Sequence, residues 1–186
     1  MIDNDKRFSL YCNENHGLSY SRNFAIQHAD TKFVLPLDSD DYIEQTYLER
    51  LLHIFSEHDE IAVAYGKWKF IGYNSDAMNK NLGNLHYTGY KQLLKSNSIH
   101  CCCMYRKADA ISCGLYDESF QGYEDWEFLI RLLYKDKPVA YDPHVSLFYR
   151  QLEHNMSADC HAKYQKKFQR IVDKHREKYL EYGYQA

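Results

Sequence analysis

Apolar side chains along the chain follow two spacings, short uninterrupted runs and helical stripes, and the two alternate from end to end. Phe8 to Cys12 is an apolar-rich run that reads as a strand, and it breaks at the turn-forming Asn13-Glu14-Asn15-His16-Gly17. Ser19 to Asp30 then reads as a helix with Ala25, Ile26 and Ala29 near one face. Phe33-Val34-Leu35-Pro36-Leu37 is too short for a helix, reads as a buried strand, and stops abruptly in Asp38-Ser39-Asp40-Asp41. From about Tyr42 to Glu57 the stripe Tyr47, Leu48, Leu51, Leu52 and Phe55 predicts a second helix.

Ile61 to Tyr65 and Trp68 to Tyr73 predict strand material on both sides of a turn at Gly66, and Asn74 to His86 reads as a polar loop. Tyr87 to Leu94 suits a short helix, and Ile99 to Tyr105 a buried strand. Tyr123 to Tyr134 predicts a helix with Trp126, Leu129, Ile130 and Leu133 on one side and Glu124, Asp125 and Glu127 in its first turn. Val139 to Tyr141 and Val145 to Tyr149 are brief strands. The tail from about His161 to Tyr182 reads as one long amphipathic helix, with Tyr164, Phe168, Ile171, Val172, His175 and Tyr179 on its apolar side. Its other side is basic, through Lys163, Lys166, Lys167, Arg170, Lys174, Arg176 and Lys178. Strands alternating with helices predict an α/β fold, organised as a domain over residues 1–160 followed by a C-terminal amphipathic helix over 161–186.

Composition narrows the function. The 186 residues are 45% hydrophobic, enough for a core, and a formal net charge of -3 supplies no basic field for nucleic acid. No apolar run reaches the roughly 20 residues a membrane-spanning helix needs, and the acidic start does not suit a signal peptide. Three of the six cysteines are consecutive, Cys101 to Cys103, and no Cys-x-x-Cys pair is present. Free thiols and a cytoplasmic setting are the expectation. Core packing is the expected role of the cysteine run. Trp68 and Trp126 are read first as buried aromatics and second as rings that could stack on sugar faces.

Chemistry concentrates at two acidic clusters. Asp38, Asp40 and Asp41 sit where an apolar strand ends and a helix begins, the usual ligand position in open α/β sheets. Helix capping by Asp41 explains one or two acids there, each contributing on the order of 0.3–1 kcal/mol. Three carboxylates within four residues favour a hard divalent cation, Mg²⁺ or Mn²⁺, of the kind that also coordinates substrate phosphates. A calcium loop is excluded, because Ile43 stands where the turn requires glycine. The second cluster, Gly122 to Glu127, places an aspartate where it could act as general base toward an incoming hydroxyl. Taken alone it reads as a first turn that complements the helix dipole.

Gly17-Leu18-Ser19-Tyr20-Ser21-Arg22-Asn23, followed by Ala29 and by Phe33 to Asp41, resembles the central stretch of family 2 glycosyltransferases with the GT-A fold. Gly114 to Phe120 with Gly122 to Glu127 resembles a later motif of that family, and Tyr149-Arg150 with His154, Asn155 and Ser157 its closing one. The resemblance implies a GT-A-like mixed sheet flanked by helices and a metal-dependent, inverting transfer of sugar from a nucleotide donor, a UDP-sugar first of all. The acceptor would be a hydroxyl of a sugar, a lipid-linked molecule or a protein.

By the same resemblance, Asp40 is the metal ligand and Asp38 faces the ribose or diphosphate, with Asp41 assisting. Asp125 is the catalytic base, Glu124 orients base or acceptor, and Arg22 approaches the nucleotide phosphates unless it is only an exposed helix charge. His154 completes the metal shell or touches the diphosphate, although its interval from Arg150 is longer than usual, and His144 is a further candidate. The strand, helix and strand with which the family usually opens are not recognisable. That implies an N-terminally incomplete domain, prone to self-association through an open sheet edge. The alternative function is a truncated, catalytically inactive GT-A-like domain that serves as a binding or scaffolding module. A metal-dependent phosphotransferase fits less well, because Tyr42 stands where an Asp-x-Asp-x-Thr motif needs Thr or Val. The basic tail helix raises peripheral contact with an anionic membrane, against the plainer reading of a helix packed on the domain.

Overall fold

Packing of alternate apolar faces onto a common sheet decides which predicted elements form. The structure, a computed structural model, describes residues 5–82, 86–153 and 164–185. In chain order its elements are α1 (Leu18–His28), β1 (Phe33–Val34), β2 (Tyr42–Ile43), α2 (Tyr47–Glu57), β3 (Val63–Gly72), α3 (Ser75–Leu82) and α4 (Tyr90–Leu93). There follow β4 (Met104–Arg106), α5 (Lys107–Ser112), α6 (Glu124–Leu132), β5 (Val139–Gln151), α7 (Tyr164–Lys174) and α8 (Arg176–Glu181). The sheet order is β1-β4-β3-β5-β2, with β3 and β5 parallel and the remaining pairs antiparallel. This is the mixed α/β sheet flanked by helices that the sequence led us to expect.

Each face of the sheet has its own core. On one side Tyr47, Leu51 and Phe55, one helical turn apart on α2, pack with Ile61, Ala64, Cys102, Met104, Val145 and Leu147. The larger core on the other side joins Trp126, Phe128, Leu129, Ile130 and Leu132 of α6 to Val63, Tyr65, Tyr105 and the C-terminal Ile171, Val172 and Tyr179. Trp126 stacks on Phe168 of α7 at 5.5 Å between ring centroids. Burying side chains of this size contributes about 1.5–3 kcal/mol each relative to exposure.

Several predicted elements take a different form. Phe8 to Cys12 joins no ladder among the described residues, and Leu10 is 90% exposed. The helix expected from Tyr42 begins at Tyr47, because Tyr42 and Ile43 pair instead with Phe148 and Leu147 of β5. The Tyr42 ring stacks on Phe148 at 4.6 Å. Leu48 and Leu52, which belong to the apolar stripe by spacing, stay exposed. Gly66 makes no turn: β3 runs straight through it, with a register shift against β5 between Gly66 and Lys67. A Cβ at Gly66 would lie 2.6 Å from the Tyr47 ring and 2.7 Å from the Val145 carbonyl oxygen, so glycine is required there by close approach.

The supposed loop after β3 contains α3. Its Asn79 accepts a hydrogen bond from the Phe70 N–H and donates one to the Phe70 carbonyl, taking the place of a neighbouring strand. Of Ile99 to Tyr105 only the last two residues enter β4, and the two strands expected after Val139 are one, β5. The tail helix is interrupted at His175, whose side chain turns inward to Glu127.

Several basic residues of the described tail engage their own chain. Arg170 lies over Phe120 at 4.3 Å, Lys178 over Tyr134 at 4.8 Å, and Lys174 bonds Asp117 and Glu127. No helix among the described residues is long and apolar enough to cross a membrane. The division at residue 160 falls outside the described residues.

Candidate active site

The run Phe33 to Leu37 leaves the sheet after Val34 and delivers Asp38 to the end of a cleft of about 750 Å³. One wall is α1, through Leu18, Arg22, Ala25 and Ile26, and the opposite side carries Asp40 with Tyr149 and Arg150 at the end of β5. Size and mixed lining suit an organic ligand with a polar end.

Arg22 organises this end of the molecule. It is only 8% exposed, so the reading as a surface charge is overturned. Its Nη2 donates to Asp38 Oδ1 at 2.8 Å and its Nη1 to Glu124 Oε1 at 2.9 Å, with the guanidinium over the Tyr116 ring at 5.5 Å. One planar fork thus ties the acid at the end of the β1 run to the first turn of α6, whose Glu124 is 102 residues from Arg22 in sequence. Glu124 and Asp125 do not line the cleft themselves; the link to it runs through Arg22.

The first turn of α6 is reached through two left-handed residues, Gly122 at φ +80° and Tyr123 at φ +64°. A non-glycine residue in that region costs roughly 1–2 kcal/mol, a strain common where the backbone aims functional groups. Asp125 is half-buried, and its Oδ2 accepts a 2.9 Å hydrogen bond from the Asn97 amide. Burial pushes the Asp125 carboxyl up to about 6, with the Glu124 charge adding and Arg22, the Trp126 N–H and Asn97 opposing. A carboxylate poised there exchanges protons near neutral pH, which is what a general base does.

The strand-end acids divide. Asp38 gives one oxygen to Arg22, and the Cys101 thiol lies 3.8 Å from the other. Asp40 is exposed on the cleft. Asp41 turns toward β5, where its Oδ1 accepts from the Arg150 N–H while its Oδ2 is buried with no partner; burial and then the Asp40 and Asp38 charges push it up to about 6. No group of three or more His, Cys, Asp or Glu side chains able to hold a cation forms among the described residues. A hard divalent ion shared with a diphosphate needs only one or two protein carboxylates and keeps several waters. Asp40 with the remaining oxygen of Asp38 fits that requirement, whereas an all-protein cage does not.

His154 lies outside the described residues, and His144 is exposed. Cys101, Cys102 and Cys103 are buried, and burial raises each thiol, leaving them inert packing groups. Trp126 is 1% exposed and donates to the Leu93 carbonyl, so it is a core residue, while Trp68 is half-buried. Two residues escaped sequence reasoning. His100 is packed edge-on to Trp68 and Tyr149, accepts the Cys102 N–H at Nδ1, and burial brings it down to about 3, so it stays neutral. The other is Asn97, for which no periodicity or motif offered a signal.

The family model described as Glycosyl transferase family 2 matches residues 2–113. The chain belongs to that family. The matched stretch carries Arg22, Asp38 and Asp40 and ends before Glu124 and Asp125.

Among curated relatives, the minor teichoic acid biosynthesis protein GgaB of Bacillus subtilis is 23% identical over 81% of this chain and 17% of its own length. The putative glycosyltransferase EpsH of the same organism is 36% identical over 32% of this chain and 17% of its own length. The chain thus spans well under two thirds of these relatives. Among solved structures, S. aureus TarS 1-349 in complex with UDP-GlcNAc superimposes with a TM-score of 0.67 at 19% identity, covering 84% of this chain and 46% of that one. This likeness establishes the GT-A fold.

Proposed function

We propose that the site transfers the sugar of a UDP-sugar to an acceptor hydroxyl with inversion. The observation that carries this reading is the Arg22 bridge, which joins Asp38 on the cleft to Glu124, the residue before Asp125. The donor diphosphate would lie at Asp40 and Asp38, where Mn²⁺ or Mg²⁺, when bound, neutralises charge on the departing diphosphate. The acceptor oxygen forms the new bond to the anomeric carbon as the bond from that carbon to the diphosphate breaks, and Asp125 takes the hydroxyl proton. Glu124, fixed by Arg22, keeps the first turn of α6 in place. A UDP-sugar is the donor to try first because the TarS structure is described with UDP-GlcNAc. The acceptor screen begins with teichoic acid material because GgaB is described by that biosynthesis.

Calorimetric titration of UDP with Mn²⁺, followed by UDP-GlcNAc turnover, tests the reading. Saturable binding that Asp40→Ala abolishes and turnover that Asp125→Asn abolishes support it. Absence of UDP binding by the folded chain overturns it, and binding without turnover for any donor or acceptor leaves a binding module instead.

A further inference from the structure

Asn97 sits in the turn between α4 and the cysteine run, and that turn is fixed without it. Gln92 Nε2 donates to Ser96 Oγ at 2.7 Å, and Ser98 Oγ donates to Gln92 Oε1 at 2.7 Å. Trp126 Nε1 donates to the Leu93 carbonyl at 2.6 Å and the Tyr179 hydroxyl to the Leu94 carbonyl at 2.7 Å. The Asn97 side chain holds none of this together. Its amide nitrogen is spent on Asp125 Oδ2, while its own Oδ1 is buried with no hydrogen-bond partner. An amide kept for packing would have both ends satisfied, since an unpaired buried carbonyl costs about 1–3 kcal/mol.

We infer that Asn97 is a positioning residue for Asp125, holding one carboxylate oxygen so that the other is aimed at the acceptor hydroxyl and remains able to take its proton. Trp126, the next residue along α6, is anchored to the same turn, so base and amide are fixed at two adjacent points. The charged and titratable groups that bear on Asp125 are Glu124, which disfavours its ionised form, Arg22, which favours it, and the buried, protonated Cys101 and Cys103. The neutral donors are the Trp126 N–H, from the helix backbone itself, and the Asn97 amide, the one brought by another segment. A hydrogen bond to the ionised form favours that form.

The inference rests on the transferase reading for the purpose of the positioning, but its test does not. The Asp125 carboxyl is followed by ¹³C NMR over pH 4–9 in wild type, Asn97→Ala and Asn97→Ser, with Asp125→Asn identifying the resonance. The expected result is a midpoint in Asn97→Ala raised by about 0.5–1 pH unit, returned toward wild type in Asn97→Ser, which keeps a donor. The acid limb of UDP-GlcNAc turnover should move by the same amount, with KM for the donor unchanged. An unmoved midpoint in a folded Asn97→Ala protein overturns the inference, and if that variant does not fold, an unmoved midpoint in Asn97→Leu does. Absence of turnover in wild type counts against the transferase reading alone, because the titration is read without substrate.

Discussion

Asp125 and Glu127 are two residues apart in one turn of α6, and the protein treats them in opposite ways. Glu127 is fully buried, yet its two oxygens accept from Arg131, Lys174 and His175 at 2.7–2.8 Å, and these partners outweigh burial and hold its carboxyl well below the usual range. Asp125 is less buried but accepts only from neutral donors, the Trp126 N–H and the Asn97 amide, beside a like-charged neighbour, and its carboxyl rises to about 6. Charge compensation, more than depth, separates a structural acid from a reactive one. One acid of the turn is fully compensated and the other is not.

Four measurements break or sharpen that contrast. The largest effect belongs to Asp125→Asn, which should lower turnover of UDP-GlcNAc at least ~10²-fold while leaving the fold intact. Next is Glu127→Ala, which strands Arg131, Lys174 and His175 and should cost about 3–5 kcal/mol in urea unfolding without a specific effect on donor binding. Lys174→Ala leaves Arg131 and His175 on Glu127, and about 1 kcal/mol is expected from the same measurement.

The fourth effect is in the pH dependence. Because the folded carboxyl of Asp125 titrates above its unfolded value of 3.8, its ionisation disfavours folding above about 6, and that penalty is relieved as pH falls through 6 toward 3.8. Asp125→Asn should therefore be more stable than wild type by about 1–2 kcal/mol at pH 8, with the gap closing by about pH 4. Glu127 has the opposite sign. Its contribution is complete above its unfolded value of 4.5 and is lost as pH falls below it. A gap between Asp125→Asn and wild type that persists at pH 4 would contradict the contrast.

Much of the fold was legible because helical stripes and apolar runs report burial directly. The spacing of Tyr47, Leu51 and Phe55 located α2, and Trp126, Leu129 and Ile130 located α6, since a side chain every three or four positions must face one way. What misled was context. Tyr42 and Ile43 are strand-favouring residues but too short a run to mark a strand, and they become β2 by pairing with Phe148 and Leu147. Gly66 looked like a turn because glycine's two uses, a bend and a close approach, leave the same mark in sequence.

The candidate site divides the same way. Carboxylates at strand and helix ends stood out in the sequence because acids in short clusters repel and need a reason, so Asp38, Asp40, Glu124 and Asp125 could be picked out one segment at a time. Which of them is paired, which is left on the cleft and which is buried was decided by neighbours distant in the chain. Arg22 reaches both clusters, Asn97 reaches Asp125, and β5 claims Asp41. The sequence by itself determined the alternation of elements and the location of the acids, since those depend on residue type and local spacing. Only the tertiary structure decided their burial and their pairing, because electrostatic energies depend on distance and burial in space, and Asp125 meets Arg22 and Asn97 from chain segments far from it in sequence, beside its own neighbours Glu124 and Trp126.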